Sequence, residues 1–224
     1  MKYEEVFKRL ESLSNPKNVV GMARFGINPK NTFGISIPSL RSLAQKIGKD
    51  HKLAQKLWSS KIHEARILAG MIDDSKLVTE KQMNNWAKDF DSWDVCDQVC
   101  MNLFDKTPIA FKKAVGWTKD SREFVKRAGF AMMAALACHD KKSKDKEFKK
   151  FFVAIKKEAT DERNFVKKAV NWALRGIGKR NLNLNKFAIN TAKEIQKINS
   201  KSAKWIASDA LKELKSSAVQ KRIK

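Results

Sequence analysis

The sequence predicts an all-α chain, built as a curved solenoid of helical repeats, and three observations carry that expectation. Apolar residues recur at helical spacing almost throughout the 224 residues. Glycines (9) and prolines (4) are sparse and concentrate in one early stretch, "FGINPKNTFGISIPSL". With them, as part of the same compositional signal, a single Tyr and few alternating β-branched runs leave little to build a sheet. The third observation is internal repetition. "EFVKRAGFAMMAAL" and "NFVKKAVNWALRGI" share Phe-Val-Lys-basic-Ala, which sets Ala128 and Ala169 in register. A weaker echo, "KWIASDALKELK", places Ala210 one interval further on, and "IHEARILAGMI" around Ala65 is a helix of the same type.

The interval, about forty residues, suits two- or three-helix units of the HEAT-like kind. A unit of that size cannot bury its own apolar face. Neighbours must stack, and the stack acquires a concave surface, here expected to be a basic groove. Taken in order, "MKYEEVFKRL" opens a charged amphipathic helix and lacks the apolar core of a secretory signal. The Gly/Pro stretch follows as a turn-rich segment. Polar connectors then separate the helices: "DDSKLVTEKQ", "HDKKSKDKE", "KEATDERN" and "KRNLNLN". The charge run Asp140–Lys150 reads as a solvated loop leading into a helix. The tail "KSSAVQKRIK", from about residue 216, continues or frays the last helix. Residues 1–224 read as one domain. No apolar run approaches the ~18 residues of a membrane-spanning helix.

Charge points to a partner. Lys and Arg total 47 against 24 Asp and Glu, a formal net charge of +23. Such a surplus opposes compaction and favours association with a polyanion, nucleic acid first. Yet hydrophobic residues make up 42%, which excludes a disordered polybasic tail. The 3 cysteines, Cys96, Cys100 and Cys138, are an odd set among apolar residues, as expected of buried thiols in a reducing cytoplasm. With no second pair and no clustered histidines, no metal site is expected.

The stretch "DSWDVCDQVC" puts acids into an otherwise apolar helix. Asp94 fits a first-turn acid favoured by the helix dipole, with Asp91 or Ser92 as the N-cap. That does not account for Asp97, which falls among Val95, Cys96, Val99 and Cys100 and shares a helix face with Trp93, four residues before it. The corresponding later helices carry Arg127 and Trp172. Were these helices to line one concave surface, two aromatic walls, a carboxylate and a guanidinium would converge. The plain alternative is that the tryptophans fill the core and Arg127 pairs with Asp97.

These segments together resemble the AlkD-type alkylpurine DNA glycosylases, the HEAT-like-repeat DNA alkylation repair enzymes. "SWDVCD" is similar to the family's Trp-Asp-x-x-Asp motif, and "MARFGINPKNTFGISIPSLRSLAQKI" to its N-terminal Met-Ala-Arg-aromatic stretch. "FVKRAGFAMM" resembles the repeat that carries an arginine, here Arg127. "FVKKAVNWALRGIGK" resembles the Trp-x-x-Arg repeat, here Trp172 and Arg175. The likeness runs from about residue 3 to about residue 215. Phe25 stands where the family can have a Tyr, so stacking is retained there without a hydroxyl.

The resemblance implies a monofunctional glycosylase acting on cationic alkylated purines of the N3-methyladenine and N7-methylguanine class in duplex DNA, without flipping the base into a pocket. It assigns catalysis to Asp97, Trp93 and Trp172, and DNA contacts to Arg127, Arg175, Arg24 and Phe25. It implies no metal or organic cofactor, a monomer, and a cytoplasmic location, nucleoid-associated in a prokaryote. From composition and repeats alone, the competing expectation is a non-catalytic HEAT-like module that binds nucleic acid or an acidic protein. Asp97 separates the two, because a polyanion binder has no reason to bury a carboxylate among its cations.

Overall fold

Many helix starts in this chain are fixed by side chains that accept a backbone N–H from the first turn they precede. The computed structural model describes residues 1–223, with no strand among the described residues. Asn15, Ser36, Asp50 and Thr79 cap helices in this way, as do Asn181, Ser200 and Ser216. Each such cap is worth about 1 kcal/mol. Pro16 and Pro38 sit in first turns, where a missing N–H breaks no intrahelical bond. The chain divides into two compact units, Met1–Thr107 and Pro108–Lys224. No described helix is long and apolar enough to cross a membrane.

The first unit contains α1 (Tyr3–Ser12), α2 (Pro16–Arg24), α3 (Ile37–Ile47), α4 (His51–Ser59), α5 (His63–Ile72), α6 (Glu80–Lys88) and α7 (Trp93–Asn102). Its centre is α5, which packs against α3, α4 and α7 and is buried at every position from His63 to Gly70. Trp58 and Trp86 stack beside it with ring centroids 4.0 Å apart and planes 2° from parallel.

A helix buried on all sides must find internal partners for its polar residues. Glu64 is fully buried. Its carboxylate accepts three consecutive backbone N–H groups, from Phe33 (2.8 Å), Gly34 (2.6 Å) and Ile35 (3.1 Å). The loop is therefore wrapped around a charge. Gly34 makes this possible: its φ is +77°, and a Cβ there would lie 2.2 Å from the Asn15 carbonyl oxygen.

The second unit contains α8 (Ala110–Trp117), α9 (Glu123–His139), α10 (Asp145–Lys149), α11 (Phe151–Lys157), α12 (Asn164–Gly178), α13 (Leu182–Gln196), α14 (Lys201–Leu214) and α15 (Ser217–Arg222). Here the repeat is visible as packing. The central helix α12 lies against both α9 and α14, while α8 packs on α9, and α10 and α11 pack on α13. Within this unit the arrangement is solenoid-like, and Ala128, Ala169 and Ala210 are all fully buried. Their small side chains let successive helices approach closely. Gly129 does the same against α8, where a Cβ would meet the Ala114 carbonyl oxygen at 2.9 Å. The tail is a separate element: α14 ends at Leu214, Ser216 caps α15, and Val219 and Ile223 are buried.

Polar ties join neighbouring repeats. Lys126 of α9 reaches Glu158 (2.5 Å) and Asp161 (3.3 Å), and Arg163 bonds Asp161 (2.5 Å) and the Ser121 carbonyl (2.6 Å). Burial on its own would raise the Asp161 carboxyl. The Arg163 side chain and backbone, with Lys126, outweigh burial and hold it below the ordinary carboxylate range.

Two outcomes follow from these contacts. Glu64→Gln turns one acceptor into a donor facing backbone N–H groups and should cost about 2–4 kcal/mol, read as a lowered urea midpoint; Gly34→Ala should be at least as damaging. Asp161 has a depressed folded pKa, so its stabilisation is complete above the unfolded value of about 4 and fades as pH falls through the folded value. Between about pH 5 and about pH 3 the wild-type thermal midpoint should therefore fall more steeply than that of Asp161→Asn. Parallel curves would contradict the assignment.

Candidate functional site

The start of α7 is held by an unusual set of constraints. Ser92 occupies the N-cap position by its backbone, but its hydroxyl does not cap the helix. That oxygen instead accepts the Asn28 N–H at 2.8 Å. Asp91 accepts from Arg66 (2.6 Å) and from the Asn28 side chain (2.9 Å). Arg66 also donates to the Asp89 carbonyl at 2.8 Å, while the Trp58 indole donates to the Asp89 carboxylate at 2.9 Å. One buried guanidinium on α5 thus clamps the turn that launches α7.

Trp93 is half-buried at the first position of α7, and its indole N–H donates to the carbonyl oxygen of Phe25 at 3.0 Å. Phe25 is the C-cap of α2 and its ring is 73% exposed. Arg24, the last residue of α2, is exposed beside it. The structure thus brings Trp93 and Phe25 together and leaves Arg24 at the surface next to them. Asp97 lies one turn beyond Trp93, only 8% exposed, between buried Cys96 and Cys100. Burial pushes the Cys100 thiol up, assisted by Cys96 and by the nearby Asp97 and Asp105 carboxylates.

Asp94 is the first-turn acid expected, but its role is not confined to the helix dipole. It is 8% exposed and its carboxylate lies 2.8 Å from Nε2 of His63, itself 1% exposed. An acid that served only the helix dipole would face solvent. Asp94 is instead half of a buried pair with the first residue of α5. Sequence reasoning missed His63, although a signal existed: His63, Glu64 and Arg66 are polar residues on a helix otherwise composed of apolar ones.

Arg127, Trp172 and Arg175 belong to the second unit. Arg127 is buried on α9 and donates to the Phe165 carbonyl in the first turn of α12 at 2.7 Å. Trp172 is half-buried on α12. Arg175, one turn later, bonds Glu213 and lies 3.5 Å from Asp209, while Lys179 reaches Glu213 at 2.6 Å. Burial would raise the Glu213 carboxyl, but Lys179 and Arg175 overcome it and keep the group ionised to lower pH than usual. A phosphate approaching Arg175 would compete with two carboxylates. Among the described residues there is no group of three or more His, Cys, Asp or Glu arranged to hold a metal ion.

The family model for DNA alkylation repair enzymes matches residues 6–214. Comparison with curated proteins gives no significant match. A solved structure superposes with a TM-score of 0.79 and 20% identity, over 95% of this chain and 95% of that one. It is described as representing a new family of proteins related to the HEAT-like repeat DNA glycosylases, with affinity for branched DNA structures. At that identity the likeness establishes the fold, which is the HEAT-like helical-repeat architecture expected from the alanine register.

The Arg175 ion pair gives a direct measurement. Glu213→Gln leaves Arg175 opposite one carboxylate, Asp209. If Arg175 meets DNA phosphate, duplex affinity should rise several-fold, and the slope of log affinity against log salt should steepen by up to about one. An unchanged slope would remove Arg175 from the phosphate-contacting set.

Proposed function

The chain belongs to the DNA alkylation repair enzyme family, and on that premise we propose that it is a monofunctional glycosylase for cationic alkylpurines in duplex DNA. The observation that carries this reading is Asp97, a carboxylate 8% exposed on α7, one turn from a tryptophan whose ring is fixed by its bond to Phe25. A purine alkylated at N3 or N7 is positively charged and already a good leaving group. As the bond from C1′ to the base nitrogen breaks, its electron pair leaves with the base and cancels the base's charge, while positive charge develops on the sugar. Water adds to C1′ and gives up a proton to Asp97 or to solvent. A preorganised carboxylate beside the sugar lowers that barrier by about 3–4 kcal/mol, the usual size of a placed electrostatic group.

Trp93 excludes water beside Asp97 and offers a π face to a cationic centre, worth about 0.5–2 kcal/mol; the family resemblance assigns Trp172 the same kind of role. Arg24 and Arg175 are assigned to the DNA backbone, and Phe25 stacks or packs beside Arg24; Arg127, given the same role by the resemblance, is buried and donates to the Phe165 carbonyl. The contacts fall on sugar and phosphate, so the lesion stays in the helix until its bond is cut. No lysine is required as a nucleophile, and no lyase step follows.

A second reading rests on two observations. The structural neighbour is described by its affinity for branched DNA, and Arg175 is already neutralised by Glu213 and Asp209. On that reading the chain is a DNA-binding module without chemistry.

Single-turnover release of methylated base from duplex DNA decides between them. Asp97→Asn keeps shape and removes charge. Release should fall by about 10²–10³, while binding to undamaged duplex holds or tightens slightly. Trp93→Ala and Trp172→Ala should each lose less, since the carboxylate remains. If Asp97→Asn releases base at the wild-type rate, Asp97 is not the catalytic carboxylate; if wild type releases none, the binding module stands.

A further inference from the structure

Of the 6 tryptophans, Trp58, Trp86 and Trp117 are buried, and Trp93 and Trp172 are half-buried. Trp205, on α14 of the second unit, is 41% exposed, although tryptophan is ordinarily well covered. The repeat does not call for a ring there. Five residues before the registered alanines Ala128, Ala169 and Ala210 stand Glu123, Asn164 and Trp205, so the two earlier repeats fill the same position with a polar side chain. Stacking of α12 on α14 has no need of an aromatic at that place.

Three features meet at this ring. Among the described residues no group accepts the Trp205 indole N–H, whereas that of Trp93 is committed to the Phe25 carbonyl. The Lys167 ammonium of α12 lies 5.6 Å from the ring centroid, near the outer limit of a cation–π contact, so it flanks the ring without sealing it. Lys201 stands one turn before Trp205 on the same face of α14, and Lys204 is its neighbour in the chain; both are exposed. None of these three lysines belongs to an ion pair among the described residues. The acids nearby are engaged elsewhere. Glu162 accepts from the Ser200 hydroxyl and the Ser202 N–H, and Asp209 accepts from Asn171 with Arg175 3.5 Å away.

We propose that the α12–α14 face around Trp205 binds single-stranded DNA, with the indole stacked on an unpaired base and Lys167, Lys201 and Lys204 on the flanking phosphates. The lysines call for a polyanion, and the ring decides which one. Base faces in a duplex are covered by their neighbours, so a flat ring finds a partner only where a base is unpaired. An acidic peptide satisfies the lysines but brings a carboxylate to a π face that is itself negative. Stacking accepts any base, since each has a π face. This inference does not rest on the glycosylase reading, because the strand carries no alkylated purine and no bond is cut.

The test is fluorescence anisotropy of the full chain with a labelled oligothymidylate of about 12 nucleotides, within the usual site size of a single-strand groove, and with an abasic strand of equal length. The abasic strand keeps every phosphate and lacks only the bases. The base-bearing strand should bind at least about fivefold more tightly, the low end for one stacked base. Trp205→Ala should remove that preference and leave abasic binding within about twofold of wild type. Lys167→Ala should weaken both strands alike and lower the slope of log affinity against log salt by about 0.7. A wild type without preference, a preference that survives Trp205→Ala, or an unchanged slope in Lys167→Ala overturns the proposal. Should Trp205→Ala fail to fold, Trp205→Phe keeps a ring and removes the reporter. The base-bearing strand should then quench indole fluorescence in wild type and quench it less in that variant; equal quenching overturns the proposal. Poly-glutamate bound as tightly as the oligonucleotide, and lost equally in Trp205→Ala, assigns the face to an acidic protein and overturns it too. Release of methylated base is read separately on duplex DNA: its absence sinks the glycosylase and leaves this face standing.

Discussion

The first unit depends on one buried charge. Glu64 lies on the central helix α5, and three successive amides of residues 33–35 close on its two oxygens. Charge-assisted bonds of this kind are about twice as strong as neutral ones, and three of them offset a desolvation that would otherwise expel the carboxylate. The geometry then propagates. With the amides fixed, Gly34 sits against Asn15, the Phe33 carbonyl receives the Asn15 N–H at 2.7 Å, and Asn18 bonds the Gly34 carbonyl at 2.9 Å. The same loop carries Asn28, which holds Ser92 and Asp91, and it begins beside Phe25, which receives Trp93. Helices α2 and α7 are therefore positioned through the loop that Glu64 holds.

The second unit is organised differently. Its cohesion comes from small residues repeated at one interval, which let α9, α12 and α14 stack closely, and from polar ties at the edges of that stack. Its acids largely face its own cations: Asp161 holds Arg163 and Lys126, Glu213 holds Arg175 and Lys179, and Glu158 holds Lys126. The basic surplus of the chain is therefore carried mostly by lysines outside these pairs.

The all-helical fold and the repeat were legible because both are periodic. Alanine at one interval on similar amphipathic helices is a one-dimensional signal, and packing reproduces it in three dimensions. The candidate site was legible only in part. Trp93, Asp97 and Phe25 lie in short motifs whose spacing survives translation into a helix or a cap. The partners of those residues did not show, because each lies dozens of residues away and carries no pattern of its own. Nothing in "IHEARILAGMI" says that His63 meets Asp94 or that Arg66 meets Asp91. Ser92 shows the same limit from the other side: it has the residue type and position of an N-cap, yet its hydroxyl is used by Asn28. Local chemistry proposed one bond, and tertiary packing took another.

The bond between Trp93 and Phe25 decides what kind of contact that indole can make. Its one N–H is committed to a carbonyl of its own chain, so the ring has no hydrogen left to offer a phosphate, a sugar hydroxyl or a base edge. Only its faces and rim remain. Contact through such a surface releases no counterions and discriminates poorly among bases. Any contact Trp93 makes with nucleic acid would therefore be blind to sequence, and its share would persist when added salt has erased the contribution of the lysines.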